Sequence, residues 1–303
     1  MLSSTYNQTG FDEALVCKES LDLDLPNANH VKIYRLPVAN SMFDFTRIKD
    51  LIANNIKNYV FSRKEIKEAN LNDTGDALYH KALQKFREIK NDKDNGNGAE
   101  FGEIMLYLFM EHDLRAPKIF SKMELKTNRN DYVKGADGVF LHQYAKNNFS
   151  FFDLVIGESK CENRLTTAID EAFDSMESRI KDCDFEVELI DENIFKESFD
   201  EDEIKEIIKI IIPSNDIKEN VIVNKAFGVF IGYSIGIDLS KVPAENVLML
   251  IEEKMKKDIE KVVEKFKENI SKKKLTNYSF YVYLLPLNIA KKDRKDLMKY
   301  IIG

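Results

Sequence analysis

The segment FFDLVIGESK, residues 151–160, predicts the centre of the fold. Its apolar run from Leu154 to Ile156 is typical of a strand that is buried on both faces. Residues two apart on a strand point to the same side, so the Glu158 carboxylate and the Lys160 ammonium group are expected on one face. Unpaired charge is costly to bury, and a buried strand seldom ends in two charges without reason. Either these two side chains pair with each other or they serve a site.

A second predicted strand, Gly138–Tyr144, precedes this segment, and Asp137 stands at its start between two glycines. The stretch from Asp137 to Glu158 has room for a strand, a turn at Asn147 and Asn148, and a strand back. In such an antiparallel pair the start of one strand lies beside the end of its neighbour. Asp137 and Glu158 are therefore expected to converge.

The remaining elements predict an α/β fold, with a mixed sheet flanked by helices. Apolar spacing predicts helices over Phe45–Tyr59, Gly75–Ile89, Ala99–Leu114, Leu165–Ile180 and Pro243–Lys273. Strand patterns are found over His30–Ala39, Lys118–Lys126, Asn224–Asp238 and Asn277–Leu287. The turn-rich segment NDKDNGNG, residues 91–98, indicates a boundary. Residues 1–98 are expected to form an N-terminal lobe or an α/β elaboration of the same sheet, and residues 99–303 the core.

Composition indicates a globular chain in a reducing compartment. Hydrophobic residues make up 44% and charged residues 32% of the sequence, and no apolar run approaches the length of a membrane-spanning helix. The N-terminus lacks the pattern of a signal peptide. The three cysteines are far apart and form no CxxC pair, so neither a zinc site nor a disulfide framework is indicated. A cytoplasmic location is the expectation.

The charge of the chain is acidic overall but unevenly spread. The formal net charge is −7, which is unusual for a free-standing DNA-binding protein. Arg115–Lys160 nevertheless contains eight basic and five acidic residues, so a locally basic face can coexist with the acidic total. Lys181–Glu206 contains three basic and twelve acidic residues. We expect this acidic stretch to be a solvated surface, with a docking patch for a basic partner as the alternative.

Converging carboxylates, with backbone carbonyls and water, form the hard oxygen site that Mg²⁺ or Mn²⁺ prefers. Such an ion lowers the pKa of bound water and polarises a phosphoryl oxygen, which is the chemistry of phosphodiester hydrolysis. Taken singly, the residues have ordinary explanations: Asp137 beside glycine is common in turns, and Glu158 with Lys160 is a plausible ion pair. Glu103, near the start of a predicted helix, is a common helix-terminal carboxylate. The ordered set favours a functional interpretation.

This layout resembles the core of the PD-(D/E)XK, or restriction-endonuclease-like, nucleases. In that family a helix carrying a glutamate precedes a short antiparallel sheet that carries an aspartate and an ExK motif. Glu103 matches the helical acid, Asp137 the aspartate, and Glu158 with Lys160 the ExK motif. The strings GEIMLYLFM, GADGVFLHQ and LVIGESK are more narrowly similar to HamA, the nuclease subunit of Hachiman antiphage defence. One departure is Ala136, which stands where the broad family has proline.

The resemblance implies a metal-dependent DNA endonuclease that nicks or breaks double-stranded DNA. In this interpretation Asp137, Glu158 and the Ser159 carbonyl bind the metal, Glu103 binds a second metal or a coordinated water, and Lys160 orients the attacking water. The resemblance also implies a superfamily 2-type helicase partner (HamB) that loads or restrains the nuclease. Such a partner could supply most of the binding affinity for DNA.

Several further residues and two alternative functions remain open at this stage. Candidate contacts to the DNA backbone are Lys122, Lys126, Arg129 and Lys134, with Lys118 as a further possibility. Glu124 and Lys126 would form a second same-face pair on the first strand, and His142 could touch the site or be structural. The alternatives are a restriction or repair nuclease with another partner, and an inactive nuclease-like binding module.

Overall fold

The computed structural model describes residues 2–7, 9–92, 98–127, 135–181, 198–211 and 221–303. A seven-stranded mixed sheet lies at its centre, and helices flank the sheet. The mixed α/β architecture predicted from the sequence is therefore confirmed. No helix within the described ranges is both long and apolar enough to cross a membrane.

The strands and helices are numbered in chain order. The strands are β1 (Val16–Leu21), β2 (Asn29–Arg35), β3 (Val38–Ala39), β4 (Met42–Phe43), β5 (Lys118–Ser121), β6 (Gly138–Lys146), β7 (Phe149–Glu162), β8 (Val221–Ser234) and β9 (Ser279–Leu287). The helices are α1 (Phe11–Ala14), α2 (Thr46–Val60), α3 (Arg63–Leu71), α4 (Gly75–Asp92), α5 (Glu100–His112), α6 (Lys122–Thr127), α7 (Leu165–Lys181), α8 (Glu201–Ile211), α9 (Ala244–Lys272) and α10 (Ala290–Ile302).

The strand order in the main sheet is β1-β2-β9-β8-β7-β6-β5. Strands β7, β8, β9 and β2 run parallel to one another, whereas β5, β6 and β7 pair antiparallel, as do β1 and β2. Strands β3 and β4 form a separate two-stranded sheet. The N-terminal strands β1 and β2 thus extend the same sheet as the core strands. The division of the chain at residue 98 stays a prediction.

Most of the predicted elements are found, but the strand expected over Lys118–Lys126 is wrong. It ends at Ser121, and α6 begins at Lys122. The Ser121 hydroxyl accepts the backbone N–H of Glu124, and the Glu124 carboxylate accepts the backbone N–H of Ser121. This reciprocal pair is a capping box, which satisfies the free N–H groups at a helix start. Glu124 and Lys126 therefore lie on a helix and do not form a same-face strand pair.

Helix α5 packs closely against the centre of the sheet because two glycines leave room for it. A Cβ atom on Gly157 would lie 2.7 Å from Leu106 Cδ2, and one on Gly228 would lie 2.6 Å from Met110 Sδ. These glycines are paired neighbours on β7 and β8. Every residue of α5 from Phe101 to Glu111 is buried. Because of this close contact, Glu103, in the first turn of α5, lies near the C-terminal end of β7.

His30 in β2 makes the stability of the fold sensitive to acid. Its ring lies against Tyr281 and Tyr283, with centroids 5.3 and 5.1 Å away. Burial, together with Lys32 and His142, lowers the pKa of His30 to about 4 despite the opposing charge of Asp113. Because an unfolded histidine titrates near pH 6.5, neutral His30 contributes stability that is complete above that pH and is lost as the pH falls toward 4.

We therefore expect His30→Phe to flatten the acid dependence of folding. Between pH 7 and 5 the native chain should lose roughly 2 kcal/mol more of its free energy of unfolding than the variant loses. Urea unfolding at both pH values measures this difference. Equal losses in the two proteins would show that His30 is not the titrating group.

Candidate functional site

A polar pocket of about 440 Å³ opens where β6 begins and β7 ends. Its walls include all four residues predicted to be catalytic, and two further cations. These residues are Glu103, Lys122, Asp137, Glu158, Lys160 and Arg179. The structure thus brings together side chains from three helices, one strand and the turn before β6.

Asp137 lies beside the end of β7, as the strand pattern predicts. Strands β6 and β7 form an antiparallel pair in which Gly138 faces Gly157, and the Asp137 N–H donates to the Gly157 carbonyl at 3.0 Å. Asp137 Oδ2 accepts both the N–H of Ser159, at 2.7 Å, and its hydroxyl, at 2.6 Å. These bonds fix the orientation of the carboxylate, which is only 5% exposed.

Glu103 reaches the same place from α5. It is 4% exposed, and its Oε2 accepts a hydrogen bond of 2.8 Å from the Tyr59 hydroxyl. Its Oε1 lies 2.9 Å from Lys122 Nζ, and the same ammonium group lies 2.8 Å from Asp137 Oδ1. Glu103 and Asp137 therefore share one cation. Lys122 is in this position because Ser121 pairs with Gly138, so that the next residue outward stands beside Asp137.

Glu158 is the most buried acid of the pocket, at 1% exposure. Its Oε1 pairs with Lys160 Nζ at 2.7 Å, and its Oε2 forms an ion pair with the Arg179 guanidinium. The N–H groups of Arg179, however, donate to the backbone carbonyls of Gly157 and Gly135. Among the described residues no donor makes a hydrogen bond to Glu158 Oε2. This buried oxygen is therefore held by the charge of Arg179, which a metal ion would have to displace in order to bind it.

The two central carboxylates have opposite pKa shifts. Burial acts to raise the pKa of Asp137, but Lys122, Ser159 and Arg179 outweigh it and hold that pKa below its usual range. Burial and the negative charge of Asp137 raise the pKa of Glu158, in spite of Arg179 and Lys160. Two carboxylates that share a buried site do not both ionise easily. Glu158 is thus the acid whose ionised form an additional positive charge would stabilise most.

The donor set suits a hard divalent cation. In the part of the chain that the structure describes, no three histidine, cysteine, aspartate or glutamate side chains form a preformed metal site. Basic groups instead pair with Glu103, Asp137 and Glu158. The atoms available are carboxylate oxygens, which Mg²⁺ and Mn²⁺ prefer as ligands. The residues present therefore fit such an ion, provided that it displaces a basic group.

The basic residues predicted to contact DNA fall into three groups according to where the structure places them. Lys122 lies inside the acidic cluster, as described above. Of Lys126 only the backbone, in α6, is described, and Arg129 and Lys134 lie outside the described residues. Lys118 is completely buried, and its Nζ donates to backbone carbonyls of α2 and its C-terminal end while pairing with Glu124. A phosphate contact by Lys118 is therefore excluded.

His142 does not line the pocket, and it has a structural position in the sheet. Its ring stacks on Tyr144 and packs edge-on against Tyr281. It pairs across the strands with Asp153, well inside β7.

Cys161 follows the ExK motif directly and is buried. Burial raises the pKa of its thiol to about 12, so the thiol stays protonated and unreactive at neutral pH.

Sequence reasoning missed Tyr59 and Arg179, and it assigned Lys122 to the DNA backbone and not to the acidic cluster. The position of Lys122 was readable in principle, because Ser121 and Glu124 have the spacing of a capping box and so predict a helix that starts at residue 122. Tyr59 belongs to the apolar stripe of α2, and Arg179 to the last turns of α7. Nothing in the spacing of Tyr59 or Arg179 distinguishes them from ordinary helix residues, since their contacts are set by tertiary packing.

Replacing Tyr59 by phenylalanine tests how Glu103 is held. The change removes a buried hydroxyl and leaves Glu103 Oε2 without that donor, so we expect the free energy of unfolding to fall by about 1–3 kcal/mol. Urea unfolding measures the loss. Tyr300→Phe is the matched control, because Tyr300 is 70% exposed and its hydroxyl is not buried against an acid. Similar small effects of both changes would show that the Tyr59–Glu103 bond contributes little.

Comparison with known proteins is consistent with this geometry. The family model of HamA matches residues 10–301 of the 303-residue chain. A search of curated proteins finds no match. The family match includes the N-terminal strands β1 and β2 as well as the pocket, and so extends well beyond the motifs around Glu103, Asp137 and Glu158. The chain therefore belongs to the HamA family of Hachiman defence proteins.

Proposed function

We propose that this chain is a metal-dependent DNA endonuclease, the effector subunit of an antiphage defence system in which it works with a helicase. The observation that carries the proposal is the convergence of Glu103, Asp137, Glu158 and Lys160 in one polar pocket. Their order along the chain, with an acid on a helix before an aspartate and an ExK strand, supports nuclease chemistry. Membership of the HamA family supports the defence setting and a cytoplasmic place of action.

Each residue of the pocket has a distinct proposed role. Asp137 and Glu158, with the Ser159 carbonyl, would bind Mg²⁺ or Mn²⁺, and Glu103 would bind a second ion or a coordinated water. When bound, the ion supplies an acidified water and polarises the phosphoryl oxygen. Lys160, whose Nζ lies 2.7 Å from Glu158 Oε1, is placed to orient the attacking water. Ser159 keeps the Asp137 carboxylate in position through its N–H and hydroxyl.

A partner is needed to explain binding to DNA. Affinity for DNA comes largely from neutralisation of phosphates, and this chain has a net charge of −7. In the pocket, Lys122, Lys160 and Arg179 are already paired with the carboxylates of Glu103, Asp137 and Glu158. A helicase that holds the duplex and delivers it to the pocket would supply the missing positive charge.

A plasmid-nicking assay tests the proposal. Purified chain, with and without the proposed helicase partner, is incubated with supercoiled DNA and Mg²⁺, and the native chain is compared with Glu158→Ala and Lys160→Ala. We expect nicking by the native chain that chelation of the metal abolishes and that both variants lack. Glu252→Ala, which removes an acid paired with Lys18 at the opposite end of the sheet, should keep full activity. Undiminished cleavage by either pocket variant would contradict the assignment.

A nuclease-like module that only binds DNA or the helicase is the alternative function. One observation favours it: Glu103, Asp137 and Glu158 are each already paired with a basic group, and no preformed metal site is present among the described residues. Such a module would bind no metal, and Lys160→Ala would leave phage protection intact. Loss of protection in cells that express Lys160→Ala at normal levels would exclude it. A methyltransferase gene beside this one, in place of a helicase gene, would instead indicate a restriction-type system.

A further inference from the structure

Lys122 lies against two of the acids to which the proposed function assigns metal binding. Its Nζ lies 2.9 Å from Glu103 Oε1 and 2.8 Å from Asp137 Oδ1, so one ammonium group joins the two acids. Lys160, the other lysine that lines the pocket, pairs within the described part of the chain with Glu158 alone. The space between Glu103 and Asp137 thus already holds a cation, which is the ammonium group of Lys122.

The two acids are held in place independently of Lys122. Tyr59 fixes Glu103, and the N–H and hydroxyl of Ser159 fix Asp137. The lysine, in contrast, is attached through a flexible four-carbon stem, and its side chain is 31% exposed. Its ammonium group can therefore leave the acids by rotation of its own side chain, without any change in the backbone of α5 or β6.

We propose that Lys122 is a built-in competitor of the catalytic metal, which holds Glu103 and Asp137 until a divalent ion displaces its ammonium group. This inference rests on the proposed metal-dependent function and adds a control on metal entry. The displaced ammonium group would remain at the mouth of the pocket, where a DNA phosphate is a partner of matching charge. Binding of DNA and binding of metal would then favour each other, because both draw Lys122 away from the acids.

Calorimetric titration with Mn²⁺, in the absence of DNA, tests the competition. Only the fraction of molecules in which the acids are free can bind the ion, so Lys122→Met should bind Mn²⁺ about tenfold more tightly than the native chain. Lys160→Met is the matched control, because it removes the same charge from the same pocket without vacating a position between two acids. It should give a clearly smaller gain.

The outcomes separate this inference from the proposed function. Unchanged or weaker binding by Lys122→Met, or an equal gain from both lysine variants, overturns the competition. If native chain and Lys122→Met bind equally and Asp137→Asn abolishes binding, the metal site stands and only the competition fails. If neither protein binds Mn²⁺, both the competition and the proposed metal-dependent function are contradicted.

A second measurement uses the native chain alone, in case Lys122→Met does not fold. Amine-selective acetylation followed by mass spectrometry reports the accessibility of each lysine. Saturating Mn²⁺ should increase labelling of Lys122 severalfold, since its amine leaves the acids. Lys67, which pairs with Asp200 and Glu203 outside the pocket, serves as the internal control and should not change. Labelling of Lys122 that stays constant or decreases with Mn²⁺ overturns the inference.

Discussion

Replacing Glu158 by glutamine is expected to lower the rate of Mg²⁺-dependent DNA nicking by about a thousandfold or more. The amide keeps the size of the side chain but removes the negative charge, so the ion loses a main ligand and the Lys160 ammonium group loses its partner. Lys160→Met should cost about 10²–10⁴-fold by a different route, because the attacking water is no longer oriented. Single-turnover nicking assays with the helicase partner present measure both losses.

The same change should not weaken the fold. Burial raises the pKa of Glu158, so at neutral pH its charged form costs stability that its protonated form does not. By thermodynamic linkage, an acid whose pKa is raised in the folded state stabilises that state at pH values below its unfolded pKa. This stabilisation is lost as the pH rises through the folded pKa. Glu158→Gln should therefore melt at the same temperature as the native chain, or higher. A marked drop in melting temperature would mean that Glu158 is primarily a structural ion-pair partner.

Replacing Lys118 by methionine is expected to lower the free energy of unfolding by about 3–5 kcal/mol. Lys118 is completely buried, and its Nζ donates to the carbonyls of Asn58 and Phe61 at 2.7 Å each. These carbonyls lie at the C-terminal end of α2, where helix carbonyls lack partners within the helix. The change would also leave the buried Glu124 carboxylate without its ion-pair partner.

A double-mutant cycle separates the contributions of Lys118. Glu124→Gln removes the negative charge that loses Lys118 as an ion-pair partner in Lys118→Met, so the double variant should be more stable than the sum of the two single losses predicts. Lys241→Met is the matched control, because Lys241 is 81% exposed and pairs with Asp238 in solvent; it should change stability little. Chemical denaturation of the four proteins and the control provides the comparison. Additive losses would show that Lys118 and Glu124 do not stabilise each other.

The convergence of Asp137 and Glu158 was predictable because the strand pattern behind it is local. The strand alternation and the Asn147–Asn148 turn define an antiparallel pair, and both asparagines have the positive φ angles that such a turn requires. That pair alone brings Asp137 to Glu158. The contribution of Glu103 was accessible through family resemblance, because its helix contacts β7 through glycines whose role is visible only in three dimensions.

The surroundings of the core were not predictable in the same way. Lys118 looks like a surface lysine in the sequence, and its burial depends on acceptors some sixty residues away along the chain. Strand β2 pairs in parallel with β9, which places Asn29 beside Phe280, and no local pattern encodes such a pairing. Strand β1, at the edge of the sheet, is mostly exposed and has no apolar alternation. These features arise from long-range packing.

The proposed nuclease function requires that the carboxylates of Asp137 and Glu158 bind one divalent cation beside the Lys160 ammonium group. Anomalous diffraction from crystals of the native chain soaked in Mn²⁺ tests it most directly. We predict a manganese peak within about 2.3 Å of carboxylate oxygens of both Asp137 and Glu158, with Lys122 turned away from the acids. A peak elsewhere, or no peak at saturating Mn²⁺ with the acids still paired to their basic partners, would contradict the account.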